Sequence, residues 1–189
     1  LEGLKNILIF NKLDLSAAPP SEFRIYENLR YPVIAVSARE QTGLKPLESI
    51  MAGERSAIIG QSGVGKSSLT NALMGDALQR VGQLSDKASQ GRHTTTTAAL
   101  YRLPSGGELI DSPGVRDYSP FIENVQKVQL GFREFIVRSP NCRFDDCKHL
   151  AEPECAVKAA LANSEVAGQR YESYKKLCEL TETFQSHHN

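Results

Sequence analysis

With 189 residues, 22 basic and 22 acidic side chains and 40% hydrophobic content, the chain can hold one sizeable core plus a small appendage. The balanced charge excludes a molecule that is basic throughout, so any nucleic-acid contact has to be local. No stretch reaches the run of about 18 apolar residues that a membrane span needs, the N-terminus lacks a signal pattern, and three of the four cysteines cluster with a histidine, so we expect a cytoplasmic protein whose thiols serve a metal.

In chain order, residues 7–10 read as a short, fully buried strand that runs into Asn11-Lys12-Leu13-Asp14. Residues 21–30 have helical composition after the Pro19-Pro20 breaker, and residues 33–36 form a second strand leading into Ser37 and Ala38. A helix over 43–51, a strand over 57–59 and a helix over 66–74 follow. Residues 79–97 are rich in Ser, Thr and Gly, as a mobile loop would be. Residues 98–103 and 108–114 read as two strands joined by Pro104-Ser105-Gly106-Gly107. Past Pro120 the character is helical, ending in a helix over 165–184 with Tyr174, Leu177, Cys178 and Leu180 at helical spacing. Alternating strands and helices predict an α/β domain over residues 1–120, a mostly parallel sheet with helices on both faces, and then a mainly helical metal-binding domain over 121–189. Residue 1 starts almost inside a strand, so we expect a preceding segment in the full-length protein.

Gly60-Gln61-Ser62-Gly63-Val64-Gly65-Lys66-Ser67 fits G-x-x-x-x-G-K-[ST] between a strand and a helix. Such a loop wraps its N–H groups around a diphosphate, and the helix N-terminus adds its dipole. Lys66 would reach the β- and γ-phosphates and assist their chemistry; Ser67 would ligate Mg²⁺, with Ser68 next in the nucleotide-binding set. A glycine-rich turn with a solvated lysine is the bland alternative. Asp14 would accept from guanine N1–H and the 2-amino group, which favours GTP over ATP. Asn11 would orient the loop and face the N7/O6 edge, Lys12 would cover the ring, and the Ala38 N–H after Ser37 would meet O6.

Asp111-Ser112-Pro113-Gly114 is a D-x-x-G pattern. Asp111 would hold Mg²⁺ through a water, and Gly114 would sense the γ-phosphate. Within Gly91-Arg92-His93-Thr94-Thr95-Thr96-Thr97, Thr95 is the favoured further Mg²⁺ ligand, with Thr94 and Thr96 as alternatives. Val115 stands where many GTPases place a water-orienting glutamine, so turnover is expected to be slow unless another group helps. His93 is the candidate catalytic residue, with Arg92 as a second; a solvated loop histidine is the competing reading. Arg80, Lys87, Arg92 and Arg102 against Asp86 could grip RNA, or be an ordinary solvated loop.

Cys142, Cys147, His149 and Cys155 give C-x4-C-x-H-x5-C, a closed tetrahedral set suited to structural Zn²⁺. Free buried cysteines, or a four-thiolate site with Cys178 in place of His149, are the alternatives; Cys178 itself reads as core.

The order base reader, Ser-Ala loop, phosphate loop, threonine segment, D-x-x-G is a circular permutation of the usual GTPase order, with residues 39–55 as the new joint. Together with the cysteine cluster, these motifs resemble the RsgA (YjeQ) family of circularly permuted GTPases over essentially the whole chain. The resemblance implies a monomeric GTP hydrolase that takes GTP to GDP and acts in late maturation of the small (30S) ribosomal subunit, with that subunit and its rRNA as partners and no membrane. It also implies an N-terminal OB-fold, of which this sequence shows nothing. The alternative is a guanine-nucleotide-dependent RNA or protein docking switch of another permuted GTPase class, with slow intrinsic hydrolysis.

Overall fold

The computed structural model describes residues 4–16, 18–75, 99–111, 122 and 124–188. Two compact units divide the chain: one spans residues 6–118, the other residues 119–189 with the first five.

In the first unit, β1 (Leu8–Phe10) and β2 (Val33–Ala35) pair in parallel, with Ile9 opposite Ile34. The ladder is extended by Leu8 N–H donating to Pro32 O at 2.9 Å and Val36 N–H donating to Phe10 O at 2.8 Å. β1 is half-buried along its length, where the apolar run predicts full burial. Among the described residues it pairs only with β2. The helix α1 (Phe23–Asn28) returns the chain, and Phe23 packs edge-on to Phe10 with centroids 5.6 Å apart.

The second ladder has the order β3-β5-β4, with β3 (Arg55–Ala57) parallel and β4 (Ala99–Arg102) antiparallel to β5 (Glu108–Asp111). The sheet is therefore mixed. β3 starts two residues before the apolar triplet that predicts it, because its register is fixed from below: Arg55 lies opposite Glu108 and pairs with its carboxylate at 2.8 Å. Ile59, read as strand interior, is 59% exposed beyond the ladder. The 103–107 turn closes as expected, Leu103 N–H donating to Gly107 O at 2.8 Å.

Two helices complete this core. α2 (Leu44–Met51) buries Leu44, Leu47 and Met51 at i, i+3, i+7, each side chain contributing about 1.5–3 kcal/mol by leaving water. Its entry, Gly43, has φ +72°, and a Cβ there would lie 2.2 Å from Ala35 O, so only glycine fits. At its far end a Cβ on Gly107 would meet Met51 O at the same 2.2 Å. α3 (Lys66–Met74) coincides with its sequence prediction and buries Leu69, Thr70, Leu73 and Met74 against Ile34, Val36 and Leu109.

The second unit is built from short helices around a separate core: α4 (Val125–Val128), α5 (Arg133–Ile136), α6 (Ala156–Ala162) and the long α7 (Gly168–His188). Asn124 caps α4 by accepting from the Lys127 N–H at 2.9 Å. Val125, Val128, Phe132, Phe135, Val157, Tyr174 and Cys178 form its centre. The apolar stripe of α7 runs Tyr171, Tyr174, Cys178 and Thr181; Leu180, placed on that face by sequence spacing, is 51% exposed. The hydrophobicity of Leu180 alone says less about the buried side than the 3-4-3 spacing does.

Candidate functional site

Every described loop expected to touch nucleotide leaves the C-terminal end of a parallel strand, where α/β folds bind ligands. After β1 the backbone turns sharply at Lys12, in the left-handed region at φ 69°, and the Leu13 N–H bonds back to Val36 O at 3.0 Å. The turn aims three polar side chains in three directions. Asn11 Nδ2 donates to Val64 O at 3.1 Å and to Gly65 O at 3.4 Å, while its Oδ1 accepts from the Ala38 N–H at 3.2 Å. One carboxamide thus ties together the base loop, the Ser-Ala loop and the phosphate loop. Lys12 Nζ donates to Gly63 O at 2.7 Å, laying its stem along the phosphate loop. Asp14 accepts from the Ser37 hydroxyl at 2.7 Å, and Ser37, fully buried, in turn accepts from the Glu40 N–H at 3.1 Å. Asp14 is therefore fixed in orientation, with the rest of its lone pairs available to a ligand. The Ala38 N–H, expected to meet guanine O6, is held by Asn11 here.

The phosphate loop follows β3. Gln61, Ser62, Gly63 and Val64 are exposed, Gly60, Gly65 and Lys66 half-buried, and Ser67 and Ser68 lie exposed in the first turn of α3. Gly65 opens that helix at φ +92°, and a Cβ there would stand 2.4 Å from Asn11 Nδ2, so the glycine is what lets the two loops meet. Lys66 Nζ donates to Gly60 O at 2.6 Å and Gln61 O at 2.8 Å, curled over its own loop. Asp111 ends β5 in register opposite Ala99. His93, Thr94, Thr95, Thr96, Gly114, Val115, Arg92, Arg80, Lys87 and Asp86 lie outside the described residues. Arg102 sits at the far end of the same ladder, opposite Glu108, where Glu54 and Arg55 also line a hollow of about 520 Å³. With two arginines matched by two glutamates, that hollow is no basic patch.

In the second unit, the ligand atoms of Cys142, Cys147, His149 and Cys155 all lie within 4.8 Å of one another, and Cys178 stands apart in the core. His149 Nδ1 is 3.3 Å from Cys155 Sγ and 3.6 Å from Cys142 Sγ, and those two sulfurs are 3.9 Å apart, unbonded. Cys142 is half-buried and the other three are buried. Burial pushes the Cys147 thiol up to about 12 and lowers the pKa of His149, favouring neutral imidazole. A divalent cation among the three sulfurs would supply the positive charge that holds a coordinating thiol as thiolate. The donor set, three soft sulfurs and one imidazole nitrogen in a closed group, fits such an ion. The Ala156 and Lys158 N–H groups at the start of α6 donate to Cys142 Sγ (3.4 Å) and Cys155 Sγ (3.5 Å), which fixes both sulfurs in place.

The loop carrying His149 is pinned on both sides. His149 itself has φ 60°, unusual for a residue with a side chain. Tyr171 Oη donates to His149 O and Tyr174 Oη to Lys148 O, both at 2.6 Å. From the other side Glu152 accepts from the Lys148 N–H (3.0 Å) and the Leu150 N–H (2.9 Å). Burial opposes the charge on Glu152, but backbone N–H donors outweigh it and hold its carboxyl below the usual range. In the same unit, Glu134 and Arg170 make a two-pronged ion pair at 2.7 and 3.1 Å, with side chains only 3% and 12% exposed, and Arg170 also caps the Phe132 ring at 4.5 Å. The sequence pattern groups Cys142, Cys147, His149 and Cys155 as the structure does, but not the partners that hold the His149 loop: Gln129, whose Oε1 is 2.7 Å from His149 Nε2, Tyr171 and Tyr174 come from other parts of the chain, with no motif to flag them. Only the helical spacing of Tyr171 and Tyr174 offered a signal.

Comparison with known proteins agrees with this geometry. A model of the RsgA GTPase family matches residues 1–120. The chain is 44% identical over 180 residues to a small ribosomal subunit biogenesis GTPase RsgA of Pseudomonas fluorescens (strain SBW25), covering 93% of this chain and 52% of that protein. It is 36% identical over 194 residues to the protein of that name from Haemophilus influenzae (strain 86-028NP), covering 100% and 56%. It thus spans about half the length of the curated relatives it matches. Among solved structures, YjeQ from Thermotoga maritima superposes with TM-score 0.71 at 32% identity, over 95% of this chain and 60% of that one. YloQ, described as a circularly permuted GTPase, gives TM-score 0.71 at 27% identity, over 94% and 57%. With the permuted motif order, the loops joined through Asn11 and the cysteine–histidine cluster all in place, the chain belongs to the RsgA GTPase family.

Proposed function

We propose that the protein binds GTP and hydrolyses it to GDP and phosphate, and that this cycle serves late maturation of the small ribosomal subunit. The observation that carries the reading is the Asn11 carboxamide, which joins a carboxylate-bearing base loop to a phosphate loop 53 residues later. That arrangement suits a purine nucleotide with its base on Asp14 and its phosphates on residues 60–68. Asp14, steered by Ser37, accepts two hydrogen bonds that guanine can give and adenine cannot. Lys66 exchanges its two carbonyl partners for phosphate oxygens and neutralises charge developing on them. Ser67 would hold Mg²⁺, with Thr95 and Asp111 in support, and the ion would supply positive charge to the phosphates. His93 remains the candidate for orienting the attacking water, Val115 being unable to do so.

Zn²⁺ is the ion we assign to Cys142, Cys147, His149 and Cys155, as a structural closure of the unit that begins near residue 121. The nucleotide unit, by the same reading, ends near residue 120. The ribosomal role rests on family membership and on the relatives named as small ribosomal subunit biogenesis GTPases, so the 30S subunit and its rRNA are the proposed partners of a cytoplasmic monomer. No described helix is long and apolar enough to cross a membrane.

The test is GTP turnover by the full-length protein with and without purified 30S subunits, with ATP as control. A slow basal rate that rises with 30S supports the proposal. Turnover indifferent to 30S removes the ribosome from it, and equal turnover of ATP removes the guanine site.

A further inference from the structure

The two nitrogens of His149 face different chemistry. Nδ1 looks into the thiol group, 3.3 Å from Cys155 Sγ and 3.6 Å from Cys142 Sγ. Nε2 looks the other way, 2.7 Å from Gln129 Oε1 and 3.0 Å from Ser139 Oγ. The ring is fully buried, so water cannot satisfy either nitrogen.

Ser139 has one proton to give, and its own oxygen acceptors are Phe135 O at 2.8 Å and Gln129 Oε1 at 3.3 Å. With that proton committed, the hydroxyl meets Nε2 as an acceptor. The Gln129 carboxamide oxygen is an acceptor by nature. Two acceptors converging on Nε2 place the ring hydrogen there and leave the Nδ1 lone pair aimed among the sulfurs.

We propose that Gln129, assisted by Ser139, is the positioning residue of the metal site: it selects the Nε2–H tautomer of His149 and so makes Nδ1 the metal-binding nitrogen. Opposite placement of the hydrogen would direct an N–H at the ion and abolish the fourth ligand. Gln129 comes from the 3₁₀ turn Gln129–Gly131, 20 residues before His149, and touches none of the thiols. Its role is thus exerted wholly through the imidazole. Outer partners of this kind typically set metal affinity by about 10- to 100-fold. The inference rests on the zinc reading given above and adds the residue that orients its imidazole.

The experiment loads the 189-residue chain with Co²⁺ as a spectroscopic stand-in and measures affinity by chelator competition, with circular dichroism to check folding. Wild type is expected to give the visible spectrum of a tetrahedral three-sulfur, one-nitrogen site. Gln129→Met, similar in volume and without the acceptor, should bind about 10- to 100-fold more weakly with an altered spectrum. Gln129→Glu keeps an acceptor and cannot donate, so it should retain the wild-type spectrum and most of the affinity. Ser139→Ala, the mildest change, should show a smaller loss in a folded chain, and it carries the test if Gln129→Met does not fold. A wild-type chain that takes up no cobalt overturns the zinc reading and this inference with it. Wild type that loads normally, with Gln129→Met equal to it in affinity and spectrum, overturns the inference alone. A Gln129→Glu chain as impaired as Gln129→Met also overturns it, because the amide would then be acting as a donor.

Discussion

The two sites of this protein are held by opposite means. The nucleotide loops are largely exposed, and their fixed points are backbone carbonyls grasped by Asn11, Lys12 and Lys66. The cysteine–histidine cluster is buried, and its fixed points are side chains: two tyrosine hydroxyls, a glutamate and a glutamine around one strained histidine. A site that must exchange ligand keeps its bonds in water, where remaking each costs about 1 kcal/mol. A site that must never let go is placed where losing one partner strands another out of solvent.

That contrast is sharpest under metal loss. Cys155→Ser removes a ligand and the sulfur that caps α6, so we expect the chain to lose its stoichiometric zinc and about 5 kcal/mol or more of stability in the second unit. Zinc analysis after chelator challenge checks this, and one retained zinc per chain would sink it. Next comes the buried Glu134–Arg170 ion pair. Glu134→Ala leaves the Arg170 guanidinium buried without its carboxylate and should cost about 3–5 kcal/mol in urea unfolding. Replacing both residues by methionine should recover most of that; a double variant as unstable as the single one would show that the charges themselves are needed.

In the exposed site the same kind of change should move binding more than stability. Asp14→Asn is expected to weaken GTP by roughly 100-fold through two lost charge-assisted bonds, with ATP binding unmoved. Fluorescent-nucleotide titration reads it directly, and unchanged preference for GTP would remove Asp14 from base reading. Ser37→Ala frees the Asp14 carboxylate from the Ser37 hydroxyl and should cost GTP binding about 10-fold, near 1.4 kcal/mol. The smallest effect belongs to Leu180→Ser. Exposed on α7, it should shift stability by no more than about 0.5 kcal/mol; a larger loss would mean that the apolar stripe includes it after all.

The sequence was most legible where function is made of main chain. A phosphate loop is local: its glycines, its lysine and the helix it opens are neighbours, so residues 60–74 could be read almost to the residue. The cysteine–histidine cluster was legible for a similar reason, its four residues lying within fourteen positions. Less legible were strand limits, because pairing sets them. β3 begins at Arg55 on account of Glu108, which no local pattern announces. Least legible were the distant supports of His149: Gln129, Tyr171 and Tyr174, single polar side chains delivered by other helical segments. Apolar spacing on α7 was misjudged at one position, Leu180, where hydrophobicity outweighed period.

The joint between the rearranged halves deserves a different description from a tether. Gly43 is wedged against Ala35, Met51 against Gly107, and three side chains between them are sealed in the core. Spacer length there is consequently not a free variable: adding a residue inside α2 would rotate Leu47 and Met51 toward water by about 100°. Slack exists at Gly53, exposed, at φ +73°, with open space where a side chain would go. An engineer wishing to start this domain at its phosphate loop would open the chain there, and could expect the helix to stay behind as the last element of the rewritten order.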